Sequence, residues 1–296
     1  MDAMPALSLA AVPGRRLRTL ELIGEIEKRG FSGIYGPSLS DVMGLCVSIA
    51  HLTERVTFGP TILPIYLRHP SDLGNAAVYL HEISGGRFRL GLGVSHGPAH
   101  QRLGVTVGKP LSDMRAYVEK LKAGAEQSGP LPPIVLATLR DKMVDLAVEV
   151  ADGAVWANGA RSYMKHSLAK VPDGFFVANM VPTVIDDDEK AAAAVCRKTL
   201  TGYVALPNYR NYWKAAGYVE EMEAVEKALE AGQRDRIPEA LSDKWLNDVT
   251  LFGPVGKVRD GVEAWIDAGV TTPILVPSST KGGQMVAIDE IFAAFA

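Results

Sequence analysis

Short, nearly continuous apolar runs recur along this chain and alternate with longer stretches of helical period. The runs predict strands at Ala6–Val12, Gly33–Gly36, Arg55–Leu63, Phe88–Val94, Pro133–Thr138, Gly153–Ala157, Gly174–Pro182 and Thr272–Pro277. Runs that are continuous, not alternating, suit parallel strands buried on both faces. Between them the punctuation of helices is legible: a proline opens a helix at no hydrogen-bond cost, and a glycine closes one. Arg15–Arg29 stops at Gly30, the helix from Pro70 to Ser84 stops at Gly85-Gly86, and Val255–Ala268 stops at Gly269. The segment opened by Pro110 carries Leu111, Met114, Tyr117, Val118 and Leu121 at helical spacing.

Strand–helix alternation from end to end predicts an α/β fold with a parallel sheet and right-handed crossovers. Eight strands fit a closed (β/α)8 TIM barrel better than an open sheet. The alternation breaks once, over about residues 186–248. Helical patterns there follow one another at Asp187–Ala205, Asn208–Ala216, Val219–Ala231 and Pro238–Leu246. This is expected to be a helical insertion between strands 7 and 8, within one domain spanning residues 1–296. The acidic run Asp186-Asp187-Asp188-Glu189 fits a helix start, where carboxylates meet unpaired amides.

Composition narrows the function. With 31 basic against 34 acidic residues, a net charge of −3 argues against a nucleic-acid partner. No apolar stretch is long enough to span a bilayer, and no basic n-region precedes the first apolar run. A cytoplasmic protein acting on a small-molecule substrate is therefore expected. Cys46 and Cys196 lie in no metal-binding or redox spacing and are expected to be buried.

The candidate chemistry is sparse. Gly91-Leu92-Gly93-Val94-Ser95-His96-Gly97 approaches a dinucleotide fingerprint but has His96 where a glycine is needed, with Pro98 and a polar loop expected after it. His96 and His100 have the spacing of zinc ligands on a helix, but no glutamate follows His96 and Gly97-Pro98 disfavours a regular helix, so no metal is expected. His96 follows the fourth strand, where barrel enzymes place working groups; it is either an acid–base group or a loop histidine bonded to backbone. Asn158-Gly159-Ala160, with Arg161 beside it, is a small-residue turn that could present amides to an anion. The aromatics Tyr203, Tyr209, Tyr212, Trp213 and Tyr218 either pack the insertion or wall a site for a flat ring.

Two segments carry a family resemblance. Phe58-Gly59-Pro60-Thr61-Ile62-Leu63-Pro64 runs through Arg68-His69-Pro70, and Leu80-His81-Glu82-Ile83-Ser84-Gly85-Gly86-Arg87-Phe88-Arg89-Leu90-Gly91-Leu92-Gly93 follows. Together they resemble the luciferase-like monooxygenase superfamily, and Leu251-Phe252-Gly253-Pro254 with Ala268-Gly269-Val270 resembles its closing pattern. The resemblance implies a barrel that holds the deazaflavin coenzyme F420 or, alternatively, FMN at its C-terminal face. It implies a non-prolyl cis peptide joining Thr61 and Ile62, and cofactor contacts at Pro37, Thr61, Ile62, Val94, Ser95 and His96. The phosphate would sit at Ala137-Thr138 and Asn158-Gly159-Ala160. A homodimer and hydride transfer, with His96 as the catalytic acid–base group, complete the expectation. The sequence departs from the sugar-phosphate dehydrogenases of the deazaflavin branch, since Tyr35-Gly36-Pro37-Ser38 offers no histidine after the second strand. Two competing functions are an FMN-dependent monooxygenase and a barrel that binds a flavin without turnover.

Overall fold

The computed structural model describes residues 4–38 and 41–295. Ten strands are found among them: β1 (Ala6–Ser8), β2 (Gly33–Gly36), β3 (Thr57–Pro60), β4 (Leu63–Pro64), β5 (Leu90–Gly93), β6 (Ile134–Ala137), β7 (Gly153–Ala157), β8 (Phe176–Ile185), β9 (Leu251–Gly253) and β10 (Thr272–Ser278). All eight predicted strands are present, and four of them are shorter than their apolar runs. The chain divides into two compact units.

One unit comprises the chain up to Trp156 together with Lys170–Ala178. Its strands are parallel: β1 pairs with β2 and β2 with β3, while β4, β5, β6 and β7 pair in sequence order. The predicted third strand is two pieces, β3 and β4, separated at Thr61 and Ile62. Two glycines explain how β3 and β5 come so close. A Cβ on Gly59 would lie 2.0 Å from the Arg89 carbonyl oxygen, and one on Gly91 would lie 2.0 Å from that of Pro60. These glycines serve a neighbouring strand, one of the two readings open to glycine in a strand.

Behind the strands lie helices Arg16–Lys28, Val42–Leu52, Pro70–Ile83, Pro110–Ser128 and Asp141–Val150. Two of these, Val42–Leu52 and Asp141–Val150, have no counterpart among the helices expected from periodicity. The first starts at Asp41, whose side chain accepts from the Gly44 amide. Gly97–Leu103 is also helical, which corrects the expected polar loop. Pro98 stands in the first turn, where the missing N–H costs nothing.

Arg87 of the Ser-Gly-Gly-Arg-Phe segment ties this unit together. Its guanidinium donates to the carbonyl oxygens of Ser84, Val56, Ala50 and Thr53 and to the Thr53 hydroxyl, at 2.7–3.2 Å. Those are all five donors an arginine possesses. Nearby, Glu27 accepts from the amides of Glu54, Arg55 and Val56.

The second unit comprises Ala157–Ala169 and the chain from Asn179 onward. Here β8 lies beside β10 and also pairs in parallel with β9. The predicted end of this strand at Pro182 is corrected: β8 runs on to Ile185. Proline cannot donate to a ladder, and the β9 partners are the three residues beyond it, Thr183, Val184 and Ile185.

Between β8 and β9 the chain is helical, as expected, at Glu189–Val204, Pro207–Ala215, Val219–Glu230, Ile237–Ala240 and Asp243–Val249. Asp188 caps the first of these, accepting from Lys190 and Ala191. The expected single helix Pro238–Leu246 is two helices, because Ser242 caps a new one at the Trp245 amide. Tyr209, Tyr212, Trp213, Tyr218, Met222 and Trp245 form the buried centre of this region. Both cysteines are buried free thiols.

Candidate functional site

In the first unit, the residues expected at the site converge on the C-terminal ends of adjacent strands. Pro37 follows β2, Thr61 and Ile62 lie between β3 and β4, Val94–His96 follow β5, Ala137 ends β6 and Thr138 follows it. Because β4, β5 and β6 are neighbours, residues from three separate stretches of sequence meet around Gly93. A Cβ on Gly93 would press on Ile62 Cδ1 at 2.5 Å and on Ala137 Cβ at 3.1 Å. The Thr61 amide donates to the Gly36 carbonyl at 2.7 Å, which ties the Pro37 turn to the same end. The Thr61–Ile62 peptide bond is cis.

Two side chains at this end are incompletely satisfied. Thr61 and Thr138 are buried, and the hydroxyl of each lacks any hydrogen-bond partner. Buried polar groups are nearly always paired, so two orphans on either side of β5 call for an acceptor or donor from a ligand or water. The Thr138 amide is already engaged with the Val155 carbonyl.

After β5 the chain turns sharply. Ser95 has φ 62°, the left-handed region that side chains seldom enter. His96 is half-buried, and burial, with a smaller push from His100, holds its imidazole below the ordinary value. Neutral imidazole at neutral pH is the form that accepts a proton. His100 does not face a metal: its Nε2 bonds to the Val94 carbonyl. Among the described residues no group of three or more His, Cys, Asp or Glu is arranged to hold a metal ion. No helix there is long and apolar enough to cross a membrane.

The Asn158–Ala160 turn belongs to the second unit, and its amides are not presented to an anion. Asn158 N–H donates to the Met180 carbonyl, Gly159 N–H to Asn179 Oδ1 at 3.1 Å, and Ala160 N–H to the Tyr212 hydroxyl at 3.0 Å. Ser162 N–H donates to Asp248, a carboxylate that also takes the Ser162 and Tyr218 hydroxyls. Protein acceptors thus fill the backbone amides of Asn158, Gly159 and Ala160, and all three residues are buried. Asn158 adopts φ 58°, and its carbonyl accepts from Trp213 Nε1. The insertion aromatics therefore pack together and hold this turn. Sequence inspection passed over Asn179 and Asp248. Asn179 was legible, as the one amide side chain within an apolar strand run; Asp248 carried no such mark.

The chain matches the family model for luciferase-like monooxygenase over residues 11–272. A curated relative from Mycobacterium tuberculosis, provisionally named a coenzyme F420-dependent oxidoreductase, is 24% identical across 88% of this chain and 91% of its own. The solved coenzyme F420-dependent tetrahydromethanopterin reductase from Methanopyrus kandleri is 19% identical, with a TM-score of 0.77 over 98% of each chain. The oxygenating constituent of 3,6-diketocamphane monooxygenase from Pseudomonas putida, solved with FMN, is 16% identical with a TM-score of 0.61, covering 99% of this chain and 96% of that one. These likenesses show the (β/α)8-barrel fold, with the helical insertion lying between its seventh and eighth strands, β8 and β10.

Proposed function

The chain belongs to the luciferase-like monooxygenase family, and on that premise we propose that it is an oxidoreductase using coenzyme F420 on a small organic substrate. The observation that carries a bound cofactor is the pair of buried, unpartnered hydroxyls of Thr61 and Thr138 on either side of β5. When bound, the deazaflavin supplies the hydride chemistry. The protein's own residues bind and orient it. Thr61 and Thr138 offer hydrogen bonds that the free protein leaves unused, and Ile62 and Ala137 give an apolar backing at Gly93. Pro37, Val94 and Ser95 frame the same end. His96 takes or returns the substrate's proton at its imidazole. The names of the relatives favour F420 over FMN.

The FMN-bound neighbour supports a second reading, a monooxygenase that uses reduced flavin and oxygen. A fluorescence titration of the purified protein with oxidised F420, and in parallel with FMN, separates the two. Saturable binding of F420 alone is expected. Binding of FMN alone would transfer the assignment to the monooxygenase, and binding of neither would overturn the cofactor assignment. Binding of F420 with no oxidation or reduction of any substrate tried would leave a barrel that only stores or carries it.

A further inference from the structure

The segment that carries His96 has little core to hold it. Helix Gly97–Leu103 buries none of its residues, and 101–104 are exposed. A segment without apolar anchorage keeps one geometry only if polar contacts fix it. Such contacts are present at both of its ends, and they share residues. His100 Nε2 bonds to the Val94 carbonyl, which can only accept, so that nitrogen carries the proton and the tautomer is set. The Tyr66 and His100 rings meet edge to face, 5.4 Å between centroids. The Tyr66 hydroxyl donates to Asp113 Oδ2 at 2.8 Å, and burial and that carboxylate together push the phenol's pKa up. The same Oδ2 accepts from the Gly108 amide at 2.9 Å.

We propose that Asp113, Tyr66 and His100 form a clasp that positions the Val94–His96 turn. Asp113 stands in the first turn of the helix Pro110–Ser128, which also holds the Arg68 carbonyl through the Tyr117 hydroxyl. On the strand side, the Ile65 amide donates to the Gly93 carbonyl, which places Tyr66 next to the end of β5. The clasp thus runs from the helix through Tyr66 and His100 to the carbonyl one residue before Ser95, and Gly108 closes the far end of the segment on the same carboxylate oxygen. Tyr66, His100 and Asp113 are positioning residues, acting on the reaction through His96. The inference rests on the acid–base role given to His96 above.

The test follows histidine side-chain NMR signals through a pH titration of the cofactor-free protein, with the His96 signal assigned by its loss in His96→Gln. In the wild type His96 titrates below the ordinary 6.5. In Tyr66→Phe, which keeps the ring and removes only the hydroxyl, the His96 midpoint moves by about 0.3 units or more while the melting temperature stays within a few degrees. His100→Gln, which removes the neighbouring imidazole, raises the midpoint. Asp113→Asn keeps an oxygen for both donors and behaves as the wild type, whereas Asp113→Ala follows Tyr66→Phe. A His96 midpoint unchanged in Tyr66→Phe and in Asp113→Ala overturns the clasp. No cofactor enters this measurement, so a failure of the F420 assignment and a failure of the clasp are read separately.

Discussion

Replacing Arg87 tests how much of the structure rests on one side chain. Arg87→Met keeps the aliphatic length, removes five hydrogen bonds, and leaves the carbonyls of Ala50, Thr53, Val56 and Ser84 without their donor. Hydrogen bonds to a charged group contribute about 1.5–3 kcal/mol each, but they are not additive. The site is half-buried, so water replaces part of what is lost, and the total falls to about 3–5 kcal/mol. The guanidinium also sits 5.4 Å over the Phe58 ring, worth about 0.5–1 kcal/mol of that sum. Unfolding entropy of about 2.1 cal/mol/K per residue gives about 0.6 kcal/mol/K for 296 residues, so a loss of 4 kcal/mol lowers the melting midpoint by about 6 °C. Arg87→Lys should recover less than half of this, because an ammonium has three donors and no planar fork. Melting followed by circular dichroism reads both variants. A midpoint for Arg87→Met within about 1 °C of the wild type would refute the reasoning, since it would mean that the loop carbonyls do not need the guanidinium.

Three further outcomes are expected. Gly91→Ala forces a Cβ to 2.0 Å from a backbone oxygen and should abolish soluble expression, while Gly74→Ala, whose nearest neighbour would be Leu121 at 3.6 Å, should stabilise by about 0.5–1 kcal/mol in urea unfolding. Burial pushes the Glu27 carboxyl up, but three backbone amides outweigh it and the net pKa lies below 4.5. Its stabilisation is therefore present above the unfolded value and is lost as pH falls through the folded one, so the gap between wild type and Glu27→Gln should close below about pH 4.5; a constant gap counts against it. Thr138→Val removes an unsatisfied buried hydroxyl, and should raise the stability of the free protein by up to about 1 kcal/mol while weakening F420 binding in the fluorescence titration.

The strands were legible because parallel strands buried on both faces read as plain apolar runs, and β5 and β7 carry that signal without interruption. Helix Val42–Leu52 was not, because a helix that is apolar almost throughout has no amphipathic period to detect. Pro98 and Pro182 misled in opposite ways. A proline reads as a stop, yet Pro98 occupies a first helical turn, and Pro182 sits in a strand just before the residues that pair with β9. At the site, the strand ends bearing Thr61, His96 and Thr138 could be named from order alone. What their atoms touch could not: the filled amides of Gly159 and Ala160 depend on Asn179, Tyr212 and the packing of an insertion remote in sequence. The Ser-Gly-Gly-Arg-Phe segment, the most recognisable run in the chain, proves to be scaffold around Arg87.

The helices between β8 and β9 leave after Ile185 and return at Leu251, which pairs with Thr183, two residues before the point of departure. An excursion whose two ends are already neighbours is a loop in the thermodynamic sense, and closing a loop twice as long costs only about 0.6 kcal/mol more. Descendants of this chain can therefore lengthen, trim or replace the excursion without shifting the register of the sheet beneath it. Their freedom has one limit: whatever replaces it must still supply a hydroxyl for Ala160 and an indole for the Asn158 carbonyl, the tasks now done by Tyr212 and Trp213.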